Sequence, residues 1–204
     1  MELYDTEEQQ VEAIKDWWKE NGKAVIFGAV VGLGGLFGWR YYQDSVTAAQ
    51  EAASESYTQA VQQLAEQGVG AESGVQAFIE ANKETEYATL AALQLAKVQV
   101  ESGNLDEAVA QLEWAKSSTQ DTALSAVIDY RLARVKAEQS EFDAAIEQLA
   151  NIDAQTWAGR VAELKGDILL RKGDEQGAYA AYTEAQQSGS ASQTLQLKLD
   201  DLAK

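Results

Sequence analysis

The side chains that could do chemistry in this chain are mainly carboxylates. The sequence has 33 Asp and Glu residues against 16 Lys and Arg, and it contains neither His nor Cys. Triads that use His, thiol nucleophiles and His/Cys zinc sites are therefore excluded. Carboxylates alone could act as an acid–base pair or as ligands for Ca²⁺ or Mg²⁺. No EF-hand loop, phosphate-binding glycine loop or GxSxG motif accompanies them, so the sequence predicts a non-catalytic protein without cofactor or metal.

The basic residues are scarce, which makes their positions informative. The net charge is −17 and no basic stripe is present, so we expect no nucleic-acid partner. Several cations, together with apolar residues, are predicted to line a groove for a peptide that carries apolar and acidic groups. These predicted groove residues are Leu93, Lys97, Tyr130, Arg131, Arg134, Arg160 and Leu170. The alternative is that the cations pair with nearby Glu and only keep the groove soluble.

Helices must position these residues. The chain has no proline, and its apolar residues recur at spacings of three and four, without strand-like alternation. The sequence therefore predicts an all-α chain.

One apolar run predicts the cellular location of the protein. Ala24 to Trp39 carries no charge and is flanked by Lys23 and Arg40. With Tyr41 and Tyr42 the run covers about 28 Å, close to the ~30 Å of a bilayer's hydrocarbon core. Residues 23–42 are therefore predicted to form a single transmembrane helix, and a buried soluble helix is the alternative.

The basic residues around this anchor predict its orientation. Lys15, Lys19 and Lys23 precede the run, whereas only Arg40 follows it before Lys83. Residues 1–22 are therefore expected in the cytoplasm and the rest outside it. The alternative is a signal peptide that is cleaved after Ala48 or Ala49, but an acidic leader argues against cleavage.

Glycines within the anchor could allow close packing of another helix. Gly28 and Gly32 share one face of the predicted helix, and Gly34 and Gly38 share another. A second copy of the chain or a foreign helix could pack there.

The leader is predicted to form a short amphipathic helix over residues 6–20. Asp5 or Thr6 would cap it, and Asn21-Gly22 would end it. Its apolar face would lie on the membrane surface or bind a cytosolic partner. This face consists of Val11, Ile14, Trp17 and Trp18.

The region beyond the anchor contains repeats. A long connecting helix is predicted over 43–70 and a repeat domain over 71–204. Turn residues Gly103, Ser140 and Gly173 are spaced by 37 and 33 residues, near the ~34-residue period of tetratricopeptide (TPR) repeats. Small residues are expected where paired helices touch, at positions 96, 133, 166, 108, 145 and 178. Gly68 would be the turn of a fourth, degenerate repeat. Gln111 is expected to be exposed. The alternative to TPR repeats is a series of generic helical hairpins.

Taken together, these features resemble the YfgM family of ancillary SecYEG translocon subunits. The resemblance rests on Asn21-Gly22-Lys23, on Gly38-Trp39-Arg40-Tyr41 and on Leu132-Ala133-Arg134-Val135, and it extends over the whole chain. It implies a bacterial inner-membrane protein at SecYEG with a cytoplasmic N-terminus. The TPR-like domain would be periplasmic and would link emerging chains to a membrane-anchored, PpiD-like chaperone. The resemblance also implies control of a cytosolic response regulator, which would involve the leader. A self-associating envelope scaffold is the alternative function.

Overall fold

The computed structural model describes residues 7–153, 155–189 and 193–203. Within these ranges the chain is helical and has no β-strand, which confirms the all-α prediction. The helices are α1 Glu7–Gln67, α2 Glu72–Ala81, α3 Glu86–Glu101, α4 Leu105–Ser118, α5 Thr122–Glu138, α6 Phe142–Ala150, α7 Ala158–Lys172, α8 Glu175–Gln187 and α9 Gln193–Leu202. Short 3₁₀ turns occupy Gly68–Ala71 and Gln155–Trp157. The chain divides into two compact units, with the boundary in the sequence between Ala52 and Ala53.

The described part of the first unit is the N-terminal part of α1. Its apolar run is exposed along its whole length, including Phe27 and Phe37. Among the described residues, α1 contains the one stretch that is long and apolar enough to cross a membrane. A soluble core helix would bury such a run, so this exposure fits a membrane anchor.

The predicted end of the leader helix at Asn21-Gly22 is wrong, because α1 continues through both residues. Gly22 is buried beneath Trp18, and a Cβ at this position would lie 3.1 Å from Trp18 Cε2. Asn21 donates from Nδ2 to the carbonyl of Trp17 at 3.1 Å. Glycine inside a helix costs only about 1 kcal/mol, so it need not end one. The proposed caps Asp5 and Thr6 lie outside the described residues.

The predicted boundary at 42/43 also falls inside α1. The anchor and the connecting segment are therefore parts of one helix, which ends at Gln67. The assignment of 23–42 to the membrane stays a prediction.

In the second unit, three helical hairpins share one kind of turn. Gly103, Ser140 and Gly173 have φ angles of 81°, 65° and 91°, in the left-handed region. After each of them the next amide donates to a carbonyl five residues back, at 2.8, 2.9 and 2.9 Å. This is the hydrogen bond of a Schellman helix end. The predicted repeat turns are confirmed. Gly68, with φ 57°, also has a left-handed backbone, at the first residue of the 3₁₀ turn that follows α1.

Small residues lie where paired helices meet, as predicted. Ala108, Ala133, Ala145 and Ala178 are fully buried, and Ala96 is nearly so. Gly166 is buried against Tyr182. These positions let the two helices of a hairpin approach closely.

Three apolar clusters form the core of the second unit. The first extends from the end of α1 to α5 and includes Leu64, Ile79 and Leu95. The second joins α5 to α7, and the third joins α7 to α9. Each of α5 and α7 therefore packs into two clusters.

Candidate functional site

A groove of about 400 Å³ lies between α3 and α5, which we call the α3–α5 groove. Leu93, Ala96 and Val100 of α3 form one wall, and Leu112 of α4 lies at its base with Val135 of α5. Clefts of ~300–1,000 Å³ are typical of ligand sites. The remaining lining residues are charged: Lys97, Glu101, Arg131, Arg134 and Glu138.

The charged residues of this groove differ in how they are paired. Lys97 Nζ lies 3.7 Å from Glu101 Oε1. Arg131 Nη1 donates to the Leu93 carbonyl at 3.5 Å, a weak contact. Arg134 is exposed, and it makes no hydrogen bond or ion pair with the residues that the structure describes. Two guanidinium groups are therefore open to an added carboxylate.

A second depression lies beside the first, between α5 and α7. It contains Leu170 and shares Arg134 and Glu138 with the α3–α5 groove. Arg171 donates to both carboxylate oxygens of Glu138, at 2.8 and 3.3 Å. Most charged groups of this second depression are thus paired with other residues of the protein.

Tyr130 and Arg160 lie outside both grooves. The Tyr130 ring centroid is 5.4 Å from that of Trp157, and Arg160 lies over the Trp157 ring at 5.3 Å. Burial raises the pKa of Tyr130, against the opposing effect of Arg134. Of the seven predicted groove residues, the α3–α5 groove brings together Leu93, Lys97, Arg131 and Arg134, with Leu170 next to them. Trp157, whose position was not predicted from the sequence, packs against Tyr130 and Arg160.

Helix α9 closes the end of the repeats with a polar cluster. Lys198 Nζ lies 2.6 Å from Asp167 and 3.0 Å from Glu163, both on α7. Tyr182 of α8 donates to the same Asp167 at 2.8 Å. Burial lowers the pKa of Lys198, but the hydrogen bonds to Asp167 and Glu163 outweigh it, so the net pKa is raised. Burial and the hydrogen bond to Asp167 raise the pKa of Tyr182.

The first unit presents two further predicted surfaces. The leader face is exposed by about half or more, at Val11 (49%), Ile14 (66%), Trp17 (54%) and Trp18 (50%). A Cβ added at Gly28, Gly32, Gly34 or Gly38 would meet no atom within 4 Å. Both surfaces are thus open within this unit, and their partners stay predictions.

Comparison with known proteins identifies the family. A family model described as a tetratricopeptide repeat-like domain matches residues 15–204. The ancillary SecYEG translocon subunit of Escherichia coli (strain K12) is 39% identical over 206 residues, covering 100% of both chains. The chain belongs to the YfgM family. A further member, the ancillary SecYEG translocon subunit of Haemophilus influenzae, is 35% identical over 198 residues, or 96% of this chain and 97% of the relative.

Solved structures support the fold of this YfgM-family chain. Pseudomonas aeruginosa pilF matches with a TM-score of 0.58 and 17% identity, over 75% of this chain and 68% of that chain. MamA matches with a TM-score of 0.55 and 17% identity, over 74% of this chain and 86% of the MamA chain. At such low identity these matches show the TPR-like architecture alone.

Proposed function

We propose that the chain is a non-catalytic ancillary subunit of the bacterial Sec translocon. The observation that carries this proposal is the full-length match to a relative named as such a subunit, at 39% identity. The exposed apolar part of α1 supports it, because a translocon subunit needs a segment that stays in the membrane. Residues 23–42 would span the inner membrane.

The proposed orientation is N-terminus in the cytoplasm and TPR-like domain in the periplasm. It is supported by three lysines before the apolar run against one arginine after it. A reporter enzyme that is active only outside the cytoplasm, fused after residue 204, should be active. The purified protein should also keep its leader. A mature N-terminus near Ala49 would instead show cleavage and contradict the anchor.

The periplasmic role that we propose is linkage between emerging chains and a membrane-anchored, PpiD-like chaperone. The α3–α5 groove supports it, since it combines an apolar floor with two arginines, Arg131 and Arg134, that have no carboxylate partner among the described residues. Binding of apolar and acidic groups by such a surface is ordinary peptide recognition.

Site-specific photocrosslinking in intact cells tests this proposal. A photoreactive residue at Leu33, which is 58% exposed, should capture SecY, SecE or SecG. The same residue at Val100, in the groove, should capture an exported chain or the PpiD-like chaperone. Tyr179, on the exposed side of α8, serves as the control for nonspecific capture. Adducts only with a second copy of the chain would favour the scaffold function instead.

A second role is favoured by the exposed leader face. Trp17 and Trp18 present two large aromatic rings to solvent, at 54% and 50% exposure. We propose that this face binds a cytosolic response regulator. Replacing both tryptophans by Ser should abolish its co-purification and leave translocon association unchanged. Retention of the regulator by that variant would rule out the leader face as its binding surface.

A further inference from the structure

The α3–α5 groove has an unusual distribution of charge for so acidic a protein. In the second unit, seven of the described Lys and Arg residues have a carboxylate within 4.0 Å: Lys83, Lys97, Lys116, Lys136, Arg171, Lys172 and Lys198. Arg131, Arg134, Arg160 and Lys165 do not, although carboxylates outnumber cations two to one over the whole chain. Of these four cations, Arg131 and Arg134 line the α3–α5 groove. They are three residues apart on α5, so they lie on one face of the helix.

The carboxylates of the groove itself are already engaged. Glu101 lies 3.7 Å from Lys97, and Glu138 accepts from Arg171 at 2.8 Å. Neither is left to neutralise the two α5 guanidinium groups. An excess of positive charge therefore remains inside this groove.

The neighbouring depression between α5 and α7 provides an internal comparison. There Glu138 is paired with Arg171, and Asp167 is paired with Lys198 of α9. Helix α9 thus supplies the positive charge that pairs with Asp167 in this depression. At the α3–α5 groove no described segment does the same.

We propose that the α3–α5 groove binds a segment of a partner protein in which a Glu or Asp side chain stands beside Leu, Ile or Val. Arg131 and Arg134 receive the carboxylate, because an arginine pair can form several charge-assisted hydrogen bonds with one. Leu93, Val100 and Val135 contact the aliphatic side chain. This inference specifies which peptide chemistry the groove binds in the proposed function. It rests on the proposed function, because it takes the occupant to be a protein chain.

Fluorescence anisotropy with synthetic peptides tests the inference on the full chain in lipid nanodiscs. The probe is fluorescein-labelled Ser-Gly-Leu-Glu-Leu-Glu-Leu-Gly-Ser. In one control peptide Gln replaces both Glu residues, and in the other Ser replaces the three Leu residues. The wild-type chain should bind the probe at least tenfold more tightly than either control. Equal affinity for the Gln peptide would overturn the inference, whatever any variant of the protein does.

Matched variants then locate the site. Arg131→Gln together with Arg134→Gln should weaken probe binding at least tenfold. Lys83→Gln together with Lys165→Gln changes the net charge equally outside the groove, and it should leave binding within twofold. Arg131→Lys with Arg134→Lys keeps the charge and should bind with intermediate affinity. An unchanged affinity in the Arg-to-Gln variant would overturn the assignment.

Co-purification with SecYEG and light scattering distinguish a failure of this inference from a failure of the proposed function. If wild type co-purifies with SecYEG but does not bind the probe, the groove inference fails and the proposed function stands. If it binds the probe but does not co-purify, the proposed function fails and the groove assignment stands. A dimer that the Arg-to-Gln variant dissociates, seen by light scattering without probe binding, would show that a second copy is the occupant and overturn the inference.

Discussion

Gly166 of α7 lies directly against the ring of Tyr182 in α8, which is itself fully buried. A methyl group at position 166 would overlap the ring carbons. The ring is also fixed by its hydroxyl, which donates to Asp167 at 2.8 Å. The last hairpin therefore depends on the absence of a side chain at one position.

Gly166→Ala should lower the stability of the TPR-like domain. The added methyl must displace a buried ring that is held at both ends, and such overpacking costs about 1–3 kcal/mol. Thermal unfolding of the detergent-solubilised chain measures the effect. Gly74→Ala is the control, because a Cβ there makes only an ordinary contact, 3.6 Å from Gln63 Oε1. In an exposed helix this control should be neutral or stabilising, by up to about 1 kcal/mol. A higher melting temperature for Gly166→Ala would contradict the packing described here.

A pair of substitutions on α4 tests the small-residue contacts within a hairpin. Ala108 is fully buried where α4 meets α3, whereas Ala110 is exposed on the same helix. Ala108→Leu should cost about 1–3 kcal/mol by overpacking. Ala110→Leu should change stability by no more than about 0.5 kcal/mol. Equal melting temperatures for the two variants would show that position 108 does not lie at the helix contact.

The glycine face of the anchor is expected to pack against a partner helix. In lipid such packing needs close approach of the two backbones, which Gly28 and Gly32 permit. Replacing both by Leu should keep the chain in the membrane, since its hydrophobicity rises, yet reduce co-purification with SecYEG. Replacing Leu33 and Leu36 by Ile is the control, because it adds no bulk. Wild-type recovery of SecYEG by the double Leu variant would assign the contact to another surface.

The cluster around Lys198 makes the end of the domain sensitive to alkaline pH. The pKa of Lys198 is raised in the folded state, so the stability that it contributes is complete below its unfolded pKa of ~10.4. This contribution is lost as the pH rises through the folded pKa. Tyr182 acts in the same direction, because its pKa is also raised. The melting temperature should therefore fall above about pH 10. The fall should be smaller in Lys198→Gln with Tyr182→Phe, and an identical fall in that variant would contradict the assignment.

The repeat architecture could be predicted because its signals are local. Gly103 and Gly173 adopt backbone conformations that glycine favours, and the small residues at 108, 145 and 178 recur at a fixed distance from these turns. Ser140 takes the same conformation with φ 65° at the position that the period predicts. Helix spacing and turn chemistry together therefore defined the hairpins.

The features that were missed depend on contacts between distant residues. Gln111, expected to be exposed, is 8% exposed, because the neighbouring helices cover its side of α4. Tyr130 and Arg160 were assigned to the groove, whereas both pack against Trp157 outside it. Helix α9 was not anticipated, since its role depends on Lys198 reaching two carboxylates on α7. The helix end predicted at Asn21-Gly22 is wrong. Asn-Gly is a common helix end, but here the residues on both sides of it belong to one helix.

The division of the core into three clusters governs how the domain opens. The third cluster contains only residues of α7, α8 and α9, and a single helix, α7, connects it to the second. In repeat proteins stability is a sum over units and their interfaces, so it is not shared equally along the chain. We therefore expect α9 to detach by local unfolding at a lower free energy than α3, which lies in the largest cluster. Native-state hydrogen exchange should therefore show opening first at α9, while the walls of the α3–α5 groove remain protected.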